Sequence, residues 1–417
     1  MSSAFSIALS ALKAQSDAIN TTGNNLANIN TTGFKSSDVN FRDLVASNLG
    51  WSSSSGMGVS RPTTQQSFSQ GTITSSDSPW SAAIQGNGFF VLKGSGGQSL
   101  YTRDGNFTVG ADGTLTTLTG EKVQGWMSAT SGLNTGILPT DITIPAGLTF
   151  PAKATSNISF TANLNAAGNA AASTNQLSVS VPVVDSLGNN HTLTINLTKS
   201  STANTWTYDV TIPGDELAGG TAGTQNSILS APGTLAFNPD GTLSTASSAS
   251  IPLSITGLAD GASNMSMNWS PLNSDGTSSI TQYAETSSYT GVTQDGSASG
   301  TLTKVAVAEN GQIAASFSNG QEKILGQLAL ATFKNPDTLE GVGNNNFTPT
   351  GRTSTASIGA PQSGDRGQIV SGSLENSNVD IATQFTNLIT YQRGYQASSR
   401  VITTEDNMLQ DLLQVIR

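Results

Sequence analysis

The chain has 417 residues, with 17 basic and 27 acidic side chains, a net charge of -10 and no cysteine. The acidic balance, without a basic run, argues against nucleic acid as a partner. Absent thiols remove disulfides, thiolate metal sites and thiol nucleophiles, and no run reaches the roughly 18 apolar residues of a membrane span.

Charged residues make up 11% of the chain, against about 25% in ordinary soluble domains. Its surface is therefore mostly Ser, Thr, Asn, Gln and Gly, as suits packing within an assembly or work outside the cell. The length allows two to four domains.

The opening "MSSAFSIALSALKAQ" lacks the basic start of a signal peptide, and Lys13 interrupts its apolar part, so export without a cleaved signal is expected. Phe5, Leu9, Leu12, Ser16, Ile19, Gly23 and Leu26 alternate in steps of four and three. That spacing predicts a helix with a heptad seam.

Within "INTTGNNLANINTTGFK", Asn20, Asn24 and Asn28 form an i, i+4, i+8 row. Asparagine competes for backbone hydrogen bonds and is disfavoured inside helices. An amide both donates and accepts, so such a stripe can face copies of itself without the repulsion of a charged row. Gly33 reads as the helix stop. Residues 31–70, including "WSSSSGMGVS", read as a semi-ordered connector.

The middle is all-β. Short β-branched and aromatic runs are punctuated by Asp104-Gly105, Asp112-Gly113, Asp240-Gly241, Asp295-Gly296, Asn310-Gly311 and Asn319-Gly320, all hairpin signals. "LYTRDGNFTVGADGTLTT" thus reads as strand, turn, strand, turn, strand. From about Pro145 to Thr281 the chain turns richer in Ser, Thr, Ala and Pro, with strands such as "QLSVSVPVVD", "NHTLTINLT" and "NTWTYDVTI". This is expected to be a second β domain inserted into the first, with Trp206 in its core.

His191, the single histidine, reads as a solvated strand residue. No nucleophile elbow or EF-hand loop appears, and "QGNGFF" lacks the third glycine of a dinucleotide fingerprint. No enzyme, cofactor or metal site is expected.

At the C-terminus Ile381, Phe385, Leu388, Gln392, Tyr395, Ser399, Ile402, Asp406, Leu409, Leu413 and Ile416 repeat the heptad steps. Two apolar seams at opposite ends predict a terminal coiled coil, with Leu388, Tyr395, Ile402 and Leu409 buried in it.

Six blocks in order resemble the bacterial flagellar rod and hook proteins. They are "ALSALKAQSDAINTTGNNLANINTTGFK", "QGTITSSDSPWSAAIQGNGFFVL", "YTRDGNFTVGADGTL", "LATFKNPDTLEGVGNNNFTPT", "GSLENSNVDIATQFTNLITYQRGYQASSRVITTEDNMLQ" and the terminal helix. The insert makes the chain similar to the hook member of that family. The resemblance implies a tubular homopolymer acting as a universal joint that transmits torque from motor to filament. It also implies partners: the distal rod protein, the hook cap, the hook-filament junction protein, the hook-length ruler and the flagellar type III export apparatus. A distal rod or hook-junction protein, or a secreted β adhesin presenting Trp206 and Tyr208, are the alternatives.

The expected division is 1–30 with 376–417 as the terminal helical coiled coil, 31–70 with 361–375 as connector, 71–145 with 284–360 as inner β domain, and 146–283 as inserted outer β domain. The fold class is mainly β, with helical termini and two barrel- or sandwich-like domains. Assembly is expected to use the two seams and the amide stripe, with no nucleic acid and no membrane insertion.

Overall fold

A computed structural model describes residues 3–46, 55–129, 132–168, 176–244, 250–273 and 276–415. Helix α1 spans Ser3–Ala27 and helix α2 spans Ile381–Val415. The start of α2 is set by Asp380, whose side chain accepts the Thr383 N–H at 2.7 Å, satisfying one of the donors that a helix N-terminus leaves free. Helix α1 stops well short of Gly33, which takes a left-handed φ of 68° elsewhere in the turn region.

The chain forms two compact units, one of residues 1–146, 304–315 and 322–417, the other of 147–303 and 316–321. In the first, antiparallel strands run in the order Glu322–Leu328, Lys122–Ala129, Phe89–Lys93, Ser99–Thr102, Asn346–Thr348, Glu340–Gly343. Phe89, Val91, Tyr101, Trp126, Leu339 and Phe347 fill one side of this sheet. On strand Phe89–Lys93 the alternate residue Phe90 points the other way and meets Phe107 edge-on, centroids 5.0 Å apart. Both faces of that strand are covered, which accounts for its unbroken apolar run.

The return chain closes the unit. Strand Gln368–Ser371 pairs with Ala82–Gln85, and Ser373–Glu375 with Ile73–Ser75. The segment expected to be a semi-ordered connector carries two ladders, Ser37–Asn40 with Thr63–Gln66 and Asp43–Ala46 with Ser55–Val59. Residues 47–54 of it lie outside the described residues.

Among the expected hairpin turns, Asp112-Gly113 joins the paired strands Phe107–Val109 and Leu115–Thr117. Asp104-Gly105 does not make a hairpin, because Ser99–Thr102 pairs instead with Phe89–Lys93 and Asn346–Thr348. A Cβ on Gly105 would lie 1.6 Å from the Ala82 carbonyl oxygen, so that glycine serves a close backbone approach.

The second unit has two sheets that share one core. One holds Gln176–Val184, Asn190–Lys199, Thr205–Pro213 and Gln225–Ser227; the other holds Ile251–Ile255, Met265–Trp269, Asn157–Asn163 and Ile280–Thr281. Alternation decides what points inward: on Gln176–Val184 the residues Leu177, Val179, Val181 and Val183 are buried, with exposed residues between them. Trp206 is fully buried, and Phe160 stacks on Trp269 at 5.3 Å. The unit extends beyond the expected 146–283, because Ser288–Gln294 pairs with Asn157–Asn163.

His191 is not the solvated residue expected. It is 6% exposed and shares the inner face of its strand with Leu193, Ile195 and Leu197. Its polar neighbours at the turn suggested exposure, but alternation with those aliphatic residues sets its direction.

Asp295 fastens the start of strand Asn157–Asn163, accepting the N–H groups of Ser156 at 2.7 Å and Asn157 at 2.8 Å. Partial burial works against its charge, yet these N–H groups, the Asn157 amide and Lys153 bring its carboxyl down to about 2. A folded pKa below the unfolded value gives stability that is full above the ordinary 3.8 and is lost as pH falls toward 2. Asp295→Asn should therefore cost about 1–2 kcal/mol at neutral pH, allowing for solvent screening of a partly exposed group. Urea unfolding between pH 7 and pH 2 checks this: the variant should lose less stability than the parent below about pH 4, and equal losses would reject it.

Candidate assembly surface

Helices α1 and α2 pack together within one chain. The buried stripe of α1 is Ala8, Ala14, Ala18, Thr22 and Asn25, and among the described side chains of α2 the buried one is Gln384. Small side chains allow close approach: a Cβ on Gly394 of α2 would fall 2.9 Å from the Gln15 side chain, and one on Gly58 would fall 2.3 Å from Ser10 Oγ.

The expected seam lies next to this stripe. Ala8, Ala18, Thr22 and Asn25 each precede by one residue the positions Leu9, Ile19, Gly23 and Leu26, a rotation of about 100° around the helix. In the chain alone the seam does not close. Phe5, Ile381, Phe385 and Tyr395 are exposed, and Leu9, Leu12, Ile19, Leu26, Leu388, Ile402 and Leu409 are half-buried. The burial expected of Leu388, Tyr395, Ile402 and Leu409 is thus incomplete within one chain. The physical reason is that the intrachain contacts use the small-residue stripe. Leu413 falls in α2, but its side chain is outside the described residues, as is the whole of Ile416.

Exposure continues along α2 in Ile389, Val401 and Met408. On this 35-residue helix Ile389 follows, and Val401 and Met408 precede, the seam positions by one residue, so the exposed apolar side chains flank the seam on both sides.

The amide row is open. Asn20 and Asn24 are exposed and Asn28 partly so; Asn28 Nδ2 donates to the Asn24 carbonyl at 2.9 Å and to Asn24 Oδ1 at 3.1 Å. The amide that matters inside the chain is Asn25. Its Nδ2 donates to the Ser37 carbonyl at 2.9 Å and to Gln384 Oε1 at 3.1 Å, and its Oδ1 accepts the Ser37 N–H at 2.9 Å. Its place on the Ala18–Thr22 stripe was a readable signal for this role.

Beneath the helices lies a buried ionic cluster. Lys35 Nζ lies 2.7 Å from Glu375 Oε1 and donates to the Ser69 carbonyl at 2.7 Å. Arg103 Nη1 lies 3.3 Å from Glu375 Oε2, and Nη2 donates to the Gly86 carbonyl at 2.9 Å. Glu375 Oε1 also accepts the Gly71 N–H, and its backbone carbonyl accepts the Gly33 N–H at 2.7 Å. The Lys35 and Glu375 side chains are wholly buried. Burial pulls the Lys35 ammonium below its usual pKa, and Glu375 restores part of it. Nearby, Ser36 N–H donates to Asn378 Oδ1 at 2.8 Å. The sequence offered no local sign of this cluster, since Lys35 and Glu375 are 340 residues apart.

Known families match four stretches of the chain. Residues 5–35 match the flagella basal body rod protein family, 83–163 the flagellar hook protein FlgE/F/G D1 domain, 149–297 the flagellar basal body protein FlaE D2 domain, and 370–415 the flagellar basal body rod FlgEFG protein C-terminal family. The chain is 32% identical to the flagellar hook protein FlgE of Borreliella burgdorferi, covering 98% of both chains. It is equally 32% identical to that of Escherichia coli, covering 99% of this chain and 100% of that one. The crystal structure of Helicobacter pylori flagellar hook protein FlgE2 resembles this fold with a TM-score of 0.52 at 14% identity, covering 73% of this chain and 99% of that chain.

Glu375 is the single carboxylate for two buried cations, so Glu375→Gln should cost about 3–5 kcal/mol, as does stripping a buried charge of its partner. Lys35→Met should cost less, about 1–2 kcal/mol, because Arg103 and the Gly71 N–H still hold the carboxylate. Chemical denaturation of the two variants checks the order; equal losses would show that Glu375 is not the shared partner.

Proposed function

The chain belongs to the flagellar hook protein family, and we propose that it is the structural subunit of the hook, a tubular homopolymer that works as a flexible universal joint between rod and filament. The observation that carries this reading furthest is full-length similarity to hook proteins joined to an apolar helical surface left open in the single chain. The role is structural, without catalysis, and the place of work is the flagellum outside the cell. The distal rod protein, the cap, the junction protein, the length ruler and the export apparatus are the proposed partners beyond the chain itself.

In the polymer, neighbouring copies would cover Phe5, Ile381, Phe385 and Tyr395 and complete the burial of Leu9, Leu12, Ile19, Leu26, Leu388, Ile402 and Leu409. Leu413 and Ile416 would extend the same seam. A fully exposed side chain of this kind gains about 1.5–3 kcal/mol when taken from water, and a half-buried one about half as much. Asn20, Asn24 and Asn28 would meet neighbours through amides that water can replace when a contact opens, which lowers the cost of sliding as the joint bends. The adhesin alternative loses its main surface, because Trp206 lies in the core.

Phe385 separates folding from assembly, being 47% exposed in the single chain. Phe385→Ser should leave the thermal unfolding of the monomer within about 0.5 kcal/mol of the parent while preventing tube formation. Ile402→Asp should also stop assembly, at a cost of several kcal/mol for an unpaired charge on a covered surface. Electron microscopy and sedimentation of the variants decide: normal tubes from both would place the assembly surface elsewhere.

A further inference from the structure

The second unit contains a cluster with no part in the assembly surface. His191 sits on strand Asn190–Lys199, its Nδ1 2.9 Å from Glu216 Oε2. Its Nε2 faces Asp185 Oδ2 at 3.3 Å and Asp260 Oδ2 at 3.5 Å. Three separate segments converge here: the turn after Gln176–Val184, the short helical turn Gly214–Glu216, and the loop after Ile251–Ile255.

We propose that Asp185, His191 and Asp260 form a site for a divalent transition-metal ion of the Zn²⁺ type, which ties these three segments together. The spacing favours a cation over a shared proton. Charged N–H···O bonds close to about 2.7–2.9 Å, and both Nε2 contacts are longer. Metal–ligand bonds of about 2.0–2.1 Å in a tetrahedron hold ligand atoms about 3.3–3.4 Å apart, close to the separations seen. The ligand atoms of all three residues lie within 4.8 Å of one another.

The surroundings hold the ligands in place. Asp185 is fully buried, and its Oδ1 accepts the N–H groups of Leu187, Gly188 and Asn189 at 2.8, 2.6 and 2.8 Å, leaving Oδ2 aimed at the imidazole. Asp260 is fixed by the Ala262 N–H and the Asn189 amide, both at 3.0 Å. In the tautomer that donates Nδ1–H to Glu216 the lone pair is on Nε2, an arrangement that recurs for metal-bound histidine. Charge points the same way. Three carboxylates surround one imidazole, so even an imidazolium leaves two negative charges, and among the described ion pairs no Lys or Arg reaches them. A nitrogen ligand argues for Zn²⁺ over the all-oxygen cations Ca²⁺ and Mg²⁺. The partly exposed edge at Asp260 gives an ion its entry and leaves room for a water as fourth ligand.

The test uses the full chain, freed of metal with a chelator and titrated with zinc chloride. Calorimetry should show one ion per chain, and the thermal midpoint should rise by a few degrees at saturation. Because the chain has one histidine, nitrogen NMR reads its ring directly: Nε2 should shift on adding zinc while Nδ1 keeps its proton. Asp260→Asn, at the exposed edge, should weaken binding at least tenfold, whereas Asp240→Asn should not. The absence of binding, binding unaltered by Asp260→Asn, or a ring that keeps protons on both nitrogens throughout the titration would each overturn the proposal. None of these outcomes bears on the hook reading, which rests on other residues.

Discussion

Two buried cations around one buried carboxylate fix how the first unit is closed. Glu375 ends the return strand, Lys35 follows the N-terminal helix, and Arg103 directly follows strand Ser99–Thr102 of the central β sheet. An ionic group buried without partners would cost several kcal/mol, so each of these segments can settle only where the other two are present. Gly33 reinforces the junction: its N–H reaches the Glu375 carbonyl, and a Cβ there would fall 2.6 Å from the Asp104 backbone nitrogen. The two helices leave this junction as neighbours because their connecting segments, 28–37 and 375–380, are fastened to each other at Lys35, Ser36 and Asn378.

With the helices anchored at their base, their surfaces divide into two kinds. The stripe used within the chain is made of Ala, Thr and one buried Asn, which pack closely but gain little from leaving water. The adjoining stripe carries Leu, Ile, Phe and Tyr, which gain far more, and it remains partly wet. In the proposed polymer this inverts the usual order, in which the strongest apolar contacts are made first inside one chain. The small-residue contact orients the helices, and the larger gain is held for contacts between copies.

Much of this was legible in the sequence because it depends on period. The helical seams follow from steps of four and three, and the strands of the second unit from alternation, as in Leu177, Val179, Val181 and Val183. The heptad steps set the expected seam along one side of each helix, yet the face closed within the chain is its small-residue neighbour, because apolar strength in a sequence does not say which copy supplies the partner. Asp104-Gly105 looked like a hairpin by composition, but long-range pairing of Ser99–Thr102 overrode the local signal. The Lys35, Arg103 and Glu375 cluster and the surroundings of His191 were illegible for a different reason. The first joins residues far apart in the chain, the second brings Glu216 and Asp260 from separate segments to the nearby Asp185 and His191, and ionic partners leave no periodic trace.

In a chain with few charges, the buried ionic groups stand where segments meet. Lys35, Arg103 and Glu375 sit at the junction of three segments in the first unit, and Asp185 and His191 at the meeting of three segments in the second. Apolar contacts are non-directional and tolerate slippage, whereas a buried charge is satisfied in one geometry only. Charge concentrated at the junctions and amides spread over the helix surface therefore separate two mechanical demands. Each unit keeps its own shape through interactions that do not slide, and the proposed contacts between copies use groups that exchange partners at little cost.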